Sequence, residues 1–262
     1  MRFGCCVSTP EQIAILAREG YDFCELPASS VQPFEEDAAA EPALLALERA
    51  PLRAESFNVL VPARLPLVGP DADQAALRSY LHRAFGRMAR LGGQVAVLGS
   101  GGARRIPDGY PRDKALSQLA AAVALAVDEA GVAGITLALE HLNRGETNTV
   151  NSVAEAQSFI AQDRLVDRGL RLLVDLHHLE VEHEPLEQVR AGADWIAHVH
   201  VADGGRRQPG AGGYDYAGFM RVLRECNYDR RISAECQWAD LAAQAGPALA
   251  YMRRMWDEST RD

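Results

Sequence analysis

The chain of 262 residues is short of positive charge: 27 lysines and arginines stand against 36 aspartates and glutamates, a formal net charge of -9. Duplex binding draws on clustered lysine and arginine, so no nucleic-acid partner is expected, although a local basic cleft stays open. Long apolar runs are also lacking. Stretches such as "ITLALE" and "LAAAVALAVDEAG" meet charge well short of the roughly 20 residues that span a bilayer, so no membrane contact is expected. The opening "MRFGCCVSTPEQ" has no hydrophobic stretch of the secretory kind. Five cysteines, an odd number without a CxxC pair, make no disulfide framework; reduced thiols and a cytoplasmic location are expected. Disorder is excluded by composition, with 48% hydrophobic and 24% charged residues. Linkers, low-complexity tracts and repeats beyond a strand–helix unit are missing, which points to one domain over residues 1–262.

What is present is an alternation. Short apolar stretches at 2–7, 22–26, 52–58, 94–100, 135–141, 170–176, 195–202 and 231–236 predict strands. Amphipathic or alanine-rich segments at about 10–19, 41–50, 71–91, 112–130, 151–162, 185–192, 215–226 and 240–257 predict helices. Thr9-Pro10 and Asn151 supply helix-start chemistry, while "EGYD", "EAGVAG" and "ECNYD" supply stops. Eight strand–helix pairs without a break in composition predict an α/β fold, a single (β/α)8 TIM barrel. The rival doubly wound sheet would carry a glycine-rich phosphate turn after its first strand, and "CCVSTPE" is not one.

Barrel chemistry sits at the carboxyl ends of the strands. The last four predicted strands end in ligand-type residues: Glu140, Asp175, His200 and Glu235. Three carboxylates at one mouth would raise one another's pKa unless a cation neutralised them. One divalent metal ion is the economical explanation. Three carboxylates and one imidazole suit Mn2+ first, with Co2+, Mg2+ or Zn2+ as alternatives.

In these residues the chain resembles the xylose isomerase-like barrel superfamily, and most closely its ketose 3-epimerase branch, the tagatose and psicose 3-epimerases. The likeness follows strand order along the whole chain and is most specific over 140–240. "EHLNRGE" reproduces an E-x-x-N-R-x-E pattern with Glu140 and Glu146. "DLHH" supplies His178 three residues after Asp175, and "HVADGGR" supplies Arg206 six residues after His200. The resemblance implies that Glu140, Asp175, His200 and Glu235 ligate the metal. It implies a ketose bound through its carbonyl and a neighbouring hydroxyl, with Glu140 and Glu235 moving a proton to invert C3 through an enediolate. His178 and Arg206 would hold substrate oxygens, and Glu146 would orient His178 or a terminal hydroxyl. A homodimer is possible on the same ground. "CCVS" departs from the pattern, offering no aromatic sugar contact at the end of strand one.

The remaining polar residues have plainer expectations. His198 lies one layer below His200 and reads as a hydrogen-bonded core histidine. His177 should face away, His183 should lie on the surface, and Arg207 is the rival of Arg206. "GSGGARR", residues 99–105, reads as a flexible loop with solvated charges, an anion nest being the alternative. Glu25 and the stretch Glu55 to Asn58 are candidates for the pocket lining, and Trp238 for either sugar or rim packing. Related chemistry on the same carboxylates would make an aldose–ketose or hydroxypyruvate isomerase, or a lyase of the inosose or 3-dehydroshikimate dehydratase type. A DNA-repair endonuclease would need a basic face and many more histidines than the seven here. A non-catalytic sugar binder would have lost a ligand or a glutamate.

Overall fold

Strand β1, Arg2–Cys6, leads into helix α1, Pro10–Glu19, and this step recurs along the chain. The computed structural model describes residues 1–259. The other strands are β2 (Phe23–Pro27), β3 (Ala54–Asn58), β4 (Val95–Leu98), β5 (Thr136–Glu140), β6 (Arg171–Asp175), β7 (Ile196–Val201) and β8 (Arg231–Ala234). Each pairs in parallel with its neighbours in sequence, and β8 pairs back onto β1, closing an eight-stranded barrel. Around it lie α2 (Asp37–Glu48), α3 (Gln74–Arg90), α4 (Arg112–Val132), α5 (Val153–Ala161), α6 (Leu176–Val181), α7 (Glu187–Ala191), α8 (Tyr216–Glu225) and α9 (Leu241–Glu258). This is the (β/α)8 architecture that the alternation predicts.

Local chemistry sets the boundaries. Thr9 caps α1 in a reciprocal box with Gln12, Pro10 opens the helix, and Gly20 ends it in left-handed conformation at φ 84°. At α5 the cap is Ser152, whose hydroxyl accepts from the Glu155 N–H at 3.0 Å, and not Asn151. The Asn151 amide instead donates to the carbonyls of Leu142 (2.8 Å) and Thr147 (3.1 Å), folding the loop after β5. Helix α6 was hidden in the sequence by the apolar run of β6. It starts on Asp175 itself, whose carboxylate caps it by accepting from the His177 N–H at 2.7 Å. Helix α4, 21 residues, is the one described helix long and apolar enough to cross a bilayer. Its Ala115, Leu119, Val123, Ala126 and Ala130 are buried in the fold, so the stripe already has a protein partner. All five cysteines are free thiols.

Alternation along the strands sorts the barrel interior into layers. Val95, Val97, Ala138 and Leu173 form an apolar cluster on β4 to β6. Across from it the interior is polar, with Glu25, Ser56, His198 and Ser233 fully buried. Two residues further along each strand the same face carries Glu140 beyond Ala138, Asp175 beyond Leu173, His200 beyond His198 and Glu235 beyond Ser233. Glu55 belongs to the opposite end. It pairs with Arg2 at 2.5 Å and Arg231 at 2.7 Å, the first residues of β1 and β8, and so does not line the mouth.

Candidate active site

Register brings the four strand-end residues together. Asp175 pairs with His200 across β6 and β7, and the Glu235 N–H continues the β8 ladder by donating to the Val201 carbonyl at 3.0 Å. One ligand atom from each of Glu140, Asp175, His200 and Glu235 lies within 4.8 Å of the other three. His200 Nδ1 stands 3.4 Å from Glu140 Oε1 and 3.5 Å from Glu235 Oε2. Glu140 Oε1, Asp175 Oδ2 and His200 Nδ1 are buried and have no hydrogen-bond partner among the described residues. Carboxylate oxygens crowded this closely repel one another, and a divalent cation at their centre, in place of any proton on His200 Nδ1, makes every one of these contacts attractive. The residues therefore fit such an ion, and three carboxylates with one imidazole are a donor set for Mn2+, Co2+, Mg2+ or Zn2+.

The electrostatics follow from burial and crowding. Burial, then the Glu235 charge, pushes the Glu140 carboxyl up to about 6. Burial works the same way on Asp175, but His178, Arg206 and His200 overcome it and hold that carboxyl below its usual range. Glu235 is also lowered, with His200 outweighing burial. Burial pulls His200 down, yet Glu25 and Glu235 lift it well above the ordinary imidazole value.

Glu25, at β2, supports the cluster from below. One oxygen lies 2.8 Å from His200 Nε2; the other lies 2.7 Å from His198 Nε2 and accepts from Ser56 (2.7 Å) and Ser233 (2.6 Å). This bond fixes the ring and turns Nδ1 toward the carboxylates, where a metal would take it in exchange for a proton. His198 is the buried core histidine expected. Cys6 ends β1 where an aromatic was expected, and its thiol lies within 4.8 Å of ligand atoms of Glu25 and His200. From β3 the Asn58 amide donates to Glu235 Oε1 at 2.9 Å.

The rim of the mouth is built by the loops after β5, β6 and β7. The Asn143 N–H donates to His178 Nδ1 at 3.1 Å, and His178 Nε2 lies 3.6 Å from Asp175 Oδ2 and 3.2 Å from Arg206 Nη2. Arg206 donates to Glu235 Oε2 at 3.1 Å and Glu146 Oε1 at 2.7 Å, and Glu146 also accepts from the Asn143 amide at 3.0 Å. Glu146 thus holds Arg206. Arg206 has left-handed backbone, φ 56°, uncommon outside glycine, and its carbonyl is fixed by the Gln237 N–H at 2.7 Å. Arg207 points away, bonding the carbonyls of Gly204 and Gly212.

Several expectations need correction. His177 does not face away: its ring lies 5.4 Å from that of His178 and its Nδ1 lies 3.2 Å from the Tyr214 hydroxyl. The cause is α6, which turns consecutive residues by about 100° where a strand would send them to opposite faces. The loop at 99–105 holds only one of its two charges in solvent: Arg105 is exposed, but Arg104 is fully buried. Trp238 packs against the core. His183 is exposed, as expected. Asn58 lines the mouth as expected, whereas Tyr214 and Arg104 lay outside the sequence-based site because each joins it through contacts distant in the chain.

Comparison with known proteins comes to the same place. Residues 13–255 match the family model described as the xylose isomerase-like TIM barrel. The L-ribulose 3-epimerase of Methylomonas sp. (strain DH-1) is 28% identical over 255 residues, 94% of this chain and 85% of that protein. The 3-dehydro-D-guloside 4-epimerase of Escherichia coli (strain K12) is 32% identical over 127 residues, 46% of each chain. Among solved structures, the Methylomonas D-allulose 3-epimerase in complex with D-allulose has a TM-score of 0.81 at 24% identity, covering 97% of both chains. The E. coli 3-keto-D-glucoside 4-epimerase in its apo form has a TM-score of 0.79 at 21% identity, covering 97% and 99%. Both structural likenesses are likenesses of fold.

Proposed function

The chain belongs to the xylose isomerase-like TIM barrel family and is an isomerase or epimerase acting on sugars; we propose that it is a divalent-metal-dependent epimerase inverting C3 of a ketose. One observation carries this reading. Glu140 and Glu235, from β5 and β8, converge on one cluster with His200 Nδ1 between them at 3.4 and 3.5 Å.

In this reading Glu140, Asp175, His200 and Glu235 hold the cation, which when bound supplies the charge that polarises the substrate carbonyl and acidifies the adjacent C–H. One glutamate carboxylate takes the C3 proton, and its electron pair moves into the carbonyl system. The other glutamate, which enters as the carboxylic acid, gives its proton to the opposite face of C3 as the carbonyl re-forms; the two glutamates end with exchanged protonation states, so atoms and charge balance. His178, its Nδ1 occupied by the Asn143 N–H and its Nε2 facing the cluster beside Arg206, lines the place for a substrate oxygen. Arg206 offers a fixed positive charge beside Glu235, kept in place by Glu146. The enzyme works in the cytoplasm, with its cysteines reduced.

A second reading differs by one carbon. The E. coli relative named as a 4-epimerase supports proton exchange at C4 of a 3-keto sugar by the same two glutamates. The test is a panel of ketoses and 3-keto glycosides incubated with Mn2+-loaded protein. Epimer formation that stops with EDTA and returns with Mn2+ is expected. An aldose product would assign an aldose–ketose isomerase, and an ultraviolet-absorbing enone would assign a dehydratase.

A further inference from the structure

The largest fully buried side chain is a charged one, Arg104, and it lies behind the cluster. Its Nη2 donates to the backbone carbonyl of Glu140 at 2.7 Å. Nε and Nη1 have no partner among the described residues. Its charge is offset by Glu140, Glu146 and Glu155, and burial pulls its pKa down to about 10. An ion kept out of water with donors unused is an expensive way to fill space, and an apolar side chain of similar volume would pack there more favourably.

The loop around Arg104 is stitched to the site on both sides. The Leu67 N–H donates to the Ala103 carbonyl at 2.7 Å and the Val61 N–H to Ser100 Oγ at 2.9 Å, tying it to the segment after β3. The Thr149 hydroxyl donates to the Arg104 carbonyl at 3.1 Å, and Asn148 exchanges two hydrogen bonds with the Ile106 backbone, 2.8 and 3.0 Å. Those last contacts belong to the loop that carries Asn143 and Glu146. The approach is close: a Cβ at Gly101 would lie 2.9 Å from the Glu146 carbonyl oxygen. Arg104 therefore sits where the end of β5 meets the loop leaving it.

We propose that Arg104 is a positioning residue: its guanidinium, clamped on the Glu140 carbonyl, fixes the end of β5 so that the Glu140 carboxylate enters the cluster and Glu146 reaches Arg206. This rests on the reading that the four residues hold a divalent cation. Arg104 touches neither the cation nor the sugar.

The test is calorimetric titration of the metal-stripped wild type, Arg104→Met and Arg104→Lys with Mn2+, beside their melting temperatures and the separate kcat and KM of the loaded proteins. Arg104→Met, which keeps the volume and removes fork and charge, is expected to bind Mn2+ about 10 to 100-fold more weakly with its metal-free melting temperature retained. Arg104→Lys, charged but without the fork, is expected to fall between it and the wild type, with kcat reduced more than KM is raised. Mn2+ affinity within twofold of wild type in both variants would overturn the assignment. So would losses of affinity in both that only track lost melting temperature, which would make Arg104 a packing residue. A wild type that takes up no Mn2+ would overturn the underlying metal reading, and this inference with it.

Discussion

Gly99 follows the last residue of β4, and a Cβ built there would lie 2.1 Å from Glu140 Oε2. The neighbour is the far end of a flexible side chain, so an added methyl can be accommodated by moving the carboxylate. Gly99→Ala is therefore expected to fold with a nearly unchanged melting temperature and to lose about tenfold or more in Mn2+ affinity and kcat/KM. A variant with wild-type kinetics would show that the Glu140 carboxylate need not stand where it does. Protons compete at the same atoms. With its carboxyl lifted to about 6, Glu140 is largely protonated at pH 5, and His200, held well above its ordinary value, is protonated at pH 7. Metal must displace both. Titrations in buffers of different ionisation enthalpy are expected to show about one proton released at pH 7, and affinity falling further as pH drops below about 6. At this scale the convergence of Glu140, Asp175, His200 and Glu235 was legible in the sequence, from residue type and position at the strand ends. The sequence was opaque at Arg104, because nothing local distinguishes a buried arginine from a solvated one.

At the scale of elements, the loop after β7 is held by one buried carboxylate. Asp203 accepts from the N–H groups of Gly210 (2.9 Å), Gly212 (3.0 Å) and Tyr214 (3.3 Å), folding the loop that carries Arg206. Asp203→Ala leaves these donors without their acceptor and frees Arg206 from its left-handed position. It is expected to raise KM about tenfold while Mn2+ affinity stays within twofold, because no metal ligand moves. Glu25→Gln should do the reverse. An amide in place of the carboxylate sets an N–H against the His200 or His198 ring, and Mn2+ affinity is expected to fall about 10 to 100-fold by calorimetry. Seven of the eight strands lie within the stretches that alternation predicts and β2 runs one residue past its own, to Pro27, since a parallel strand buried on both faces writes an apolar run into the sequence. Helix α6 was not legible. Its N-cap, Asp175, is also the last residue of β6, and six residues are too few to show a helical period.

For the whole molecule, the polar half of the barrel interior means that part of the fold's stability is coupled to the site. Mn2+ at 100 times its Kd would stabilise the folded state by about 2.7 kcal/mol. For a domain of this size that corresponds to roughly 5 to 10 °C in melting temperature, reversed by EDTA. The closed barrel was legible because eight repeats of one pattern leave few topologies. Contacts that complete the site across the barrel, such as Asn58 with Glu235 and Glu25 with His200, depend on closure and have no local signature. The central claim is proton exchange by two glutamates at a carbon next to a ketose carbonyl. The most direct test is proton NMR of a ketose incubated in D2O with metal-loaded protein. Deuterium entering at C3 as the epimer appears, and absent in both Glu140→Gln and Glu235→Gln, is the predicted result. Full metal occupancy with no deuterium at any carbon flanking the carbonyl, across ketoses and 3-keto glycosides alike, would contradict it.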